Sequence, residues 1–144
     1  MKYFDGKESL IEIGIIQLFQ RQFQESLDTF LKAIDINNPK DTSKIPLFAE
    51  KYNLIQAKLY NNIGCVYLEC GSHPSALTMF EKALYHYEKL YSKTSFDFFN
   101  YFKDIRGLSA ASTFHNIAYI HMVKGNFKLA ISALESALEV RKRE

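Results

Sequence analysis

The chain has 144 residues, of which 47% are hydrophobic and 24% charged, so it is long and apolar enough to bury the core of one domain. Its 18 basic and 16 acidic side chains leave a formal net charge of +2, too small to indicate nucleic-acid binding. Two cysteines, no apolar leader and no apolar run of membrane-spanning length predict a reduced intracellular domain, most simply cytoplasmic, without membrane contact.

Apolar residues recur every three or four positions along most of the chain, which is the spacing of amphipathic helices. The pattern is clearest from Ala76 to Tyr91 and from Ala130 to Leu138, and no segment alternates with a period of two. The sequence therefore predicts an all-helical fold. The six predicted helices lie at about 7–20, 23–37, 46–70, 74–93, 97–124 and 127–143.

Turn residues set the boundaries between these helices. The segment Gly71–Pro74 ends one helix and begins the next, because glycine favours the left-handed residue after a helix and proline favours its first turn. Gly125–Asn126 does the same, with asparagine as the N-cap. Asp41 offers a cap for a third helix that begins near Pro46. The turn at 21–23 carries a weaker signal and is placed by comparison with the other two.

A pattern of small and large residues recurs three times. When Gly14, Gly64 and Ala118 are aligned, a small residue follows 12 positions later, a large apolar residue 16 later and an alanine 19 later. These residues are Ser26, Phe30 and Ala33 in the first unit, Ala76, Phe80 and Ala83 in the second, and Ala130, Leu134 and Ala137 in the third. A glycine inside a helix costs about 1 kcal/mol relative to alanine. We therefore expect the small residues to lie where two antiparallel helices cross at close range.

This spacing resembles the tetratricopeptide repeat, in which helix A carries large, Leu, Gly and Tyr positions and helix B carries Ala, Phe and Ala positions. The second unit fits well from Asn61 to Tyr67, and the third fits from His115 to Tyr119. The first unit departs from the pattern, with Gln17 in place of tyrosine and Ser26 in place of alanine. The resemblance implies one domain over residues 1–144, a right-handed superhelix of about three helix pairs. The implied units are about 7–39, 46–93 and 97–143.

The repeats are spaced more widely than in the family. The family period is 34 residues, whereas Gly64 follows Gly14 by 50 residues and Ala118 follows Gly64 by 54, a surplus of 16 and 20. We expect most of the surplus to lengthen helices. A helical repeat stack usually needs a capping element with a polar outer face. Because the chain stops after the last helix B, we expect a fragment of a larger protein or a partner that covers this end.

The sequence offers no pattern of catalytic or metal-binding residues. Cys65 and Cys70 are five positions apart and so lie on different faces of a helix, and no two histidines are four apart. His73, three positions after Cys70, is better explained as a histidine at a helix turn. There is no glycine-rich phosphate loop and no paired acid and base. We predict no enzyme, no cofactor and no metal.

The resemblance also implies a binding groove, because helix A of each repeat lines the concave face. The implied groove residues are Lys58, Asn61, Asn62, Cys65 and Glu69 in the second unit, Ser112, His115, Asn116, Tyr119 and Val123 in the third, and Glu8, Ile11, Glu12, Ile15 and Phe19 in the first. Asn62 and Asn116 share one motif position. Because an asparagine side chain offers two donors and an acceptor, such amides can hold the main chain of an extended peptide. The alternative is that each asparagine only bonds a neighbouring helix.

The groove asparagines and the last unit are similar to those of kinesin light chains and related polarity adaptors, which the resemblance implies hold peptides in this way. We therefore predict a protein-interaction scaffold, an adaptor that binds an extended segment or a helix of another protein and neither nucleic acid nor membrane. The alternative is a structural subunit, cytoskeletal or ciliary, that stacks on itself or in a larger assembly with the groove unused.

An aromatic cluster lies in the longer insertion. Its members are Phe96, Phe98, Phe99, Tyr101 and Phe102. An exposed patch of this kind would mark an interface. The alternative is that these side chains fold over the groove or enlarge the core, where each buried phenylalanine contributes about 1.5–3 kcal/mol.

Overall fold

The computed structural model describes the backbone of residues 6–93 and 96–142, and their side chains except at 46–48, 91–109 and 142. It contains six α-helices. They are α1 (Gly6–Phe19), α2 (Phe23–Asn37), α3 (Ala49–Glu69), α4 (His73–Lys93), α5 (Phe96–Val123) and α6 (Phe127–Lys142). A 3₁₀ helix, Thr42–Phe48, precedes α3. No strand occurs in these ranges, which confirms the predicted all-helical class.

The helix boundaries agree with the sequence prediction to one residue, except at the start of α3. The prediction placed that start near Pro46, but α3 begins at Ala49. Asp41 does not cap α3. Its Oδ1 accepts hydrogen bonds from the Ser43 backbone N–H (3.0 Å) and the Ser43 hydroxyl (2.6 Å), and thereby begins the 3₁₀ helix.

The residues that exceed the family period lie mainly in longer helices, as expected. Helix α4 continues to Lys93 and α5 begins at Phe96, so that α5 is 28 residues long. The surplus between the first two units is divided between the 3₁₀ helix and the first turns of α3.

The turns inside the three helix pairs share one backbone geometry. Arg21, Gly71 and Gly125 have φ values of 61°, 76° and 79°. At each turn this residue donates to the carbonyl three positions back, and the next residue donates to the carbonyl five positions back, which is the Schellman pattern. Unlike the two glycines, Arg21 carries a side chain. The left-handed conformation therefore costs it about 1–2 kcal/mol. This is why the first turn gives the weakest sequence signal.

Each odd-numbered helix packs most extensively on the even-numbered helix that follows it. Helix α3 then packs on α2 and α5 on α4, and α3 also touches α1 and α5. The chain therefore consists of three helical hairpins, each joined to the next. The right-handed superhelix stays a prediction.

An aromatic ring lies directly on the helix A glycine in the first two hairpins. A Cβ placed on Gly14 would lie 2.5 Å from Cε1 of Phe30, and one placed on Gly64 would lie 2.5 Å from Cε1 of Phe80. Both rings are fully buried, so a Cβ at either glycine would force the packing around the ring to shift. In the third hairpin, alanine and leucine replace the glycine and the ring. The predicted close crossing is confirmed for the two glycines.

The departures of the first unit from the repeat pattern are compensated by hydrogen bonds. The Ser26 hydroxyl is fully buried and donates to the Gly14 carbonyl at 2.7 Å. The side-chain amide oxygen of Gln17, at the tyrosine position, accepts from the Thr29 hydroxyl at 2.6 Å. Both polar replacements are therefore paired, as burial requires.

Interfaces between hairpins use the same positions of helix A. In α3, Leu59, Ile63 and Val66 join Phe30 and Ala33 of α2 in one buried cluster. A second cluster contains residues of α5 at matching positions, packed on α4; its members include Phe80, Ile117 and Ile120. One set of helix positions therefore joins both pairs of neighbouring hairpins.

A buried polar cluster joins α3 to α2 and α4. The Asn37 amide donates to the Gln56 side chain at 3.0 Å. His86 of α4 is hydrogen-bonded through Nδ1 to Oδ1 of Asn53 at 2.7 Å, and its ring stacks on Tyr60 with centroids 5.6 Å apart. Burial, with a smaller contribution from Lys89, lowers the pKa of His86 from 6.5 to about 4. The histidine is therefore neutral at physiological pH.

We expect Gly64→Ala to destabilise the fold by about 1–2 kcal/mol, because the clash with Phe80 outweighs the gain in helix propensity. The double variant Gly64→Ala/Phe80→Leu recreates the alanine–leucine pair of the third hairpin and should lose less stability than the two single losses added together. Urea unfolding followed by circular dichroism measures both. Gly6→Ala is the control, because a Cβ there has no neighbour within 4 Å. Strictly additive losses would contradict this packing.

The lowered pKa of His86 predicts that the folded protein loses stability in mild acid. Between pH 6.5 and about pH 4 the unfolded chain binds a proton at this histidine that the folded chain does not. The contribution of neutral His86 to the free energy of unfolding is therefore fully present above pH 6.5 and is lost as the pH falls toward 4. Over this window the free energy of unfolding changes by at most about 1.4 kcal/mol per pH unit. His86→Gln should flatten the free energy of unfolding over this window, whereas His115→Gln, at an exposed histidine, should not. Equal slopes in all three proteins would refute the assignment.

Candidate peptide-binding groove

Most of the residues predicted to line the groove lie on α3 and α5, two helices that touch along part of their length. Two side-chain hydrogen bonds join these helices. The Thr113 hydroxyl donates to Oδ1 of Asn61 at 2.7 Å, and the Asn116 amide donates to Sγ of Cys65 at 3.7 Å. The structure therefore brings together Asn61, Cys65 and Asn116 of the predicted set.

Exposure divides the predicted residues into two classes. The half-buried members are Lys58, Asn61, Asn62, Cys65 and Asn116, and the exposed members are Glu69, Ser112, His115, Tyr119 and Val123. We call the half-buried amides and thiol, Asn61, Asn62, Cys65 and Asn116, the polar floor, and three of them take part in the hydrogen bonds between the helices. We call both classes together the α3–α5 groove.

The first hairpin contributes differently from the other two. Ile11 and Ile15 are half-buried and pack on the cluster around Phe30. Glu8, Glu12 and Phe19 are exposed. None of these five α1 residues carries an amide, so the polar floor is confined to α3 and α5 among the predicted positions that the structure describes.

The two asparagines that share a motif position differ in their surroundings. Asn116 is held by the thiol of Cys65, a weak acceptor, at the long distance of 3.7 Å. Asn62 forms no hydrogen bond with any other residue that the structure describes. The alternative that asparagine bonds a neighbouring helix therefore applies in part to Asn116 and not to Asn62.

The Cys65 thiol is neutral. Burial raises its pKa from 9.0 to about 11, with a smaller contribution from Glu69, and the hydrogen bond from Asn116 opposes the rise. Glu69 lies 3.9 Å from the Arg21 guanidinium, with both side chains more than half exposed, so this ion pair contributes little to stability. Cys65 therefore contributes a neutral thiol rather than a thiolate to the groove.

Metal binding has no support among the side chains that the structure describes, where no three His, Cys, Asp or Glu residues gather into a cluster. The predicted aromatic cluster lies in the first two turns of α5. The side chains of Phe96, Phe98, Phe99, Tyr101 and Phe102 fall outside the described residues.

A cleft that the sequence did not predict lies between α4, α5 and α6, with a volume of about 260 Å³. Its lining residues are Leu77, Glu81, Leu84, Phe114, Ile117, His121, Leu129, Ser132, Ala133 and Ser136. None of them belongs to the predicted groove. His121 stands where the second unit has Tyr67, and its buried Nδ1 has no hydrogen-bond partner within the described chain. This replacement is the one sequence signal near the cleft.

Comparison with known protein families gives two matches. One tetratricopeptide repeat model matches residues 57–97 and a second matches residues 111–143, together about half of the chain. No curated protein matches the chain in sequence. None of the described helices is long and apolar enough to cross a membrane.

The two cysteines should differ strongly in reactivity. Raising the thiol pKa from 9.0 to about 11 lowers the thiolate fraction of Cys65 at pH 8 about a hundredfold. Because a more basic thiolate is also the stronger nucleophile, we expect Ellman's reagent to react with Cys65→Ser, which retains the exposed Cys70, at least about ten times faster than with Cys70→Ser. The two rates should converge in concentrated urea. Equal rates in the native proteins would show that Cys65 is not shielded between α3 and α5.

Proposed function

The chain belongs to the tetratricopeptide repeat family, whose repeats mediate protein–protein interactions, and we propose that its α3–α5 groove binds an extended peptide segment of a partner protein. The observation that carries the proposal is the half-buried polar floor. It contains an asparagine without a hydrogen bond to another described residue and a second one held only by a thiol. Both side chains are half-buried and keep hydrogen-bonding capacity that a ligand backbone would use.

A peptide backbone fits the chemistry of this floor. A main-chain carbonyl is a stronger acceptor than the Cys65 sulfur, so a bound peptide would take the Asn116 amide from the thiol. Asn62 would hold the same backbone by its own amide. Recognition would then be largely independent of the peptide's side chains.

Side chains around the floor would add selectivity. Lys58 and Glu69 offer opposite charges on α3, and His115 and Tyr119 offer exposed rings on α5. With both charge signs and two rings at its edge, the groove favours a peptide of mixed character over a purely acidic or basic one. We place this adaptor in the cytoplasm.

The test uses a library of random 12-residue peptides displayed on phage and selected on the immobilised 144-residue chain. Because each amide hydrogen bond contributes about 0.5–1.5 kcal/mol, Asn62→Ala/Asn116→Ala should weaken the selected peptides about tenfold or more. Gln24→Ala, which removes an exposed amide of α2, should leave their affinity unchanged. Isothermal calorimetry measures the affinities, and circular dichroism checks that each variant is folded.

Equal affinity of the selected peptides for the wild type and the double asparagine variant would overturn the proposal. A library that yields no binder would also count against it. Either result would favour the alternative, a structural subunit whose groove is unused.

A further inference from the structure

The α6 helix exposes apolar residues at positions that are covered in the other two hairpins. The large helix B residues Phe30 and Phe80 are fully buried, because the next helix A packs over each of them. Their flanking residues in the same clusters, Leu27 and Ile34 or Leu77 and Leu84, are half-buried. The equivalents on α6 are Ile131, Leu134 and Leu138, which are 56%, 44% and 55% exposed. We call these three residues the α6 face.

The α1 helix shows the opposite half of the same interface. Ile63 and Val66 of α3 are 1% exposed against α2, and Ile117 and Ile120 of α5 are 8% and 0% exposed where α5 packs on α4. The equivalents on α1 are Ile13 and Ile16, which are 46% and 56% exposed. We call these two residues the α1 face.

The geometry points to a second copy of this chain as the partner of both faces. We propose that the α1 face of one copy docks on the α6 face of another, in the register that joins α3 to α2 and α5 to α4. The chain forms this interface twice within itself, so both halves already have the matching spacing of apolar residues. The exposed isoleucines and leucines would be removed from water by the contact, which is the main driving force for association.

Polar residues beside the two faces are also complementary in this register. The bond from Thr113 to Asn61 would have as its equivalent a pair between Ser9 of one copy and His115 of the other. A hydroxyl and an imidazole each supply a donor and an acceptor, so this pair can form a hydrogen bond.

The second polar pair of the internal interface has a complementary equivalent as well. The bond from Asn116 to Cys65 would be replaced by Glu12 of one copy and Tyr119 of the other. A phenol donates to a carboxylate. Neither equivalent pair places like charges together, so the polar residues beside the two faces do not oppose the apolar contact.

The two faces are different surfaces, which determines the type of assembly. A contact between unlike faces leaves one of each unused at the ends, so copies would add head to tail instead of closing into a two-fold dimer. Helix α1 of one copy would then lie beside α5 of its neighbour and continue the row of A helices across the junction. Neither face contains a residue of the groove floor, but the junction would use His115 and Tyr119 at the edge of the groove.

Sedimentation velocity tests the proposal with three variants that each place one glutamate on an apolar site about half exposed. Ile16→Glu blocks the α1 face and Leu138→Glu blocks the α6 face. Leu31→Glu is the matched control, because Leu31 is about as exposed as the other two residues and lies on neither face. The equivalent positions in the other two hairpins, 81 and 135, already carry glutamate. Circular dichroism melting verifies that all three remain folded.

We expect the sedimentation coefficient of the wild type and of Leu31→Glu to rise as concentration increases from about 10 µM to about 1 mM, the range that detects weak association. Ile16→Glu and Leu138→Glu should each stay monomeric. Mixed in equal amounts they should form a one-to-one dimer and nothing larger, because each supplies the face that the other lacks.

Three results would overturn the proposal. A wild type that is monomeric over the whole range would show that another protein, or nothing, covers these faces. Association of Ile16→Glu at the wild-type level would indicate a symmetric contact through α6 alone. A mixture of the two face variants that remains monomeric would show that the α1 and α6 faces do not bind each other.

Discussion

The packing of a phenylalanine ring against a helix glycine is the contact on which the rest of this structure depends. At Gly64 the ring of Phe80 occupies the space that a Cβ would take, and Gly14 and Phe30 repeat the arrangement. This contact sets how closely two helices of a hairpin approach. The same ring also packs against the helix A that follows, where Phe30 clusters with residues of α3 and Phe80 clusters with residues of α5. The large residue therefore needs a third helix, and the next hairpin provides it.

The remaining architecture follows from that need for a third helix. Helices α3 and α5 each cover the preceding hairpin with the same positions, and this brings α3 and α5 into contact through Asn61, Cys65 and their partners. The candidate groove is thus a consequence of stacking: the residues that complete one hairpin also align the polar floor. The exposed residues of α1 and α6 are the two halves of the stacking interface that remain without a covering helix in the described chain.

The fold was largely predictable from the sequence because its determinants are local and repeated. The pattern of small and large residues that recurs after Gly14, Gly64 and Ala118 located the three hairpins, and turn glycines located most helix boundaries. The start of α3 was wrong because Asp41 had two segments it could cap, and sequence alone does not choose between them. The groove residues were predicted by resemblance. The bonds to Asn61 and Cys65, the raised pKa of Cys65 and the exposed α6 face required coordinates, since they join residues about fifty positions apart or depend on what covers a helix.

The central claim is that each hairpin is completed by the helix that follows it. Native-state hydrogen exchange in dilute solution tests this directly, since protection reports the local free energy of opening. The account predicts that backbone amides around Phe80 and Ala83 of α4, which α5 covers, exchange far more slowly than those around Leu134 and Ala137 of α6. Equal protection of α4 and α6 would contradict it, because the last hairpin would then be stable without a covering helix.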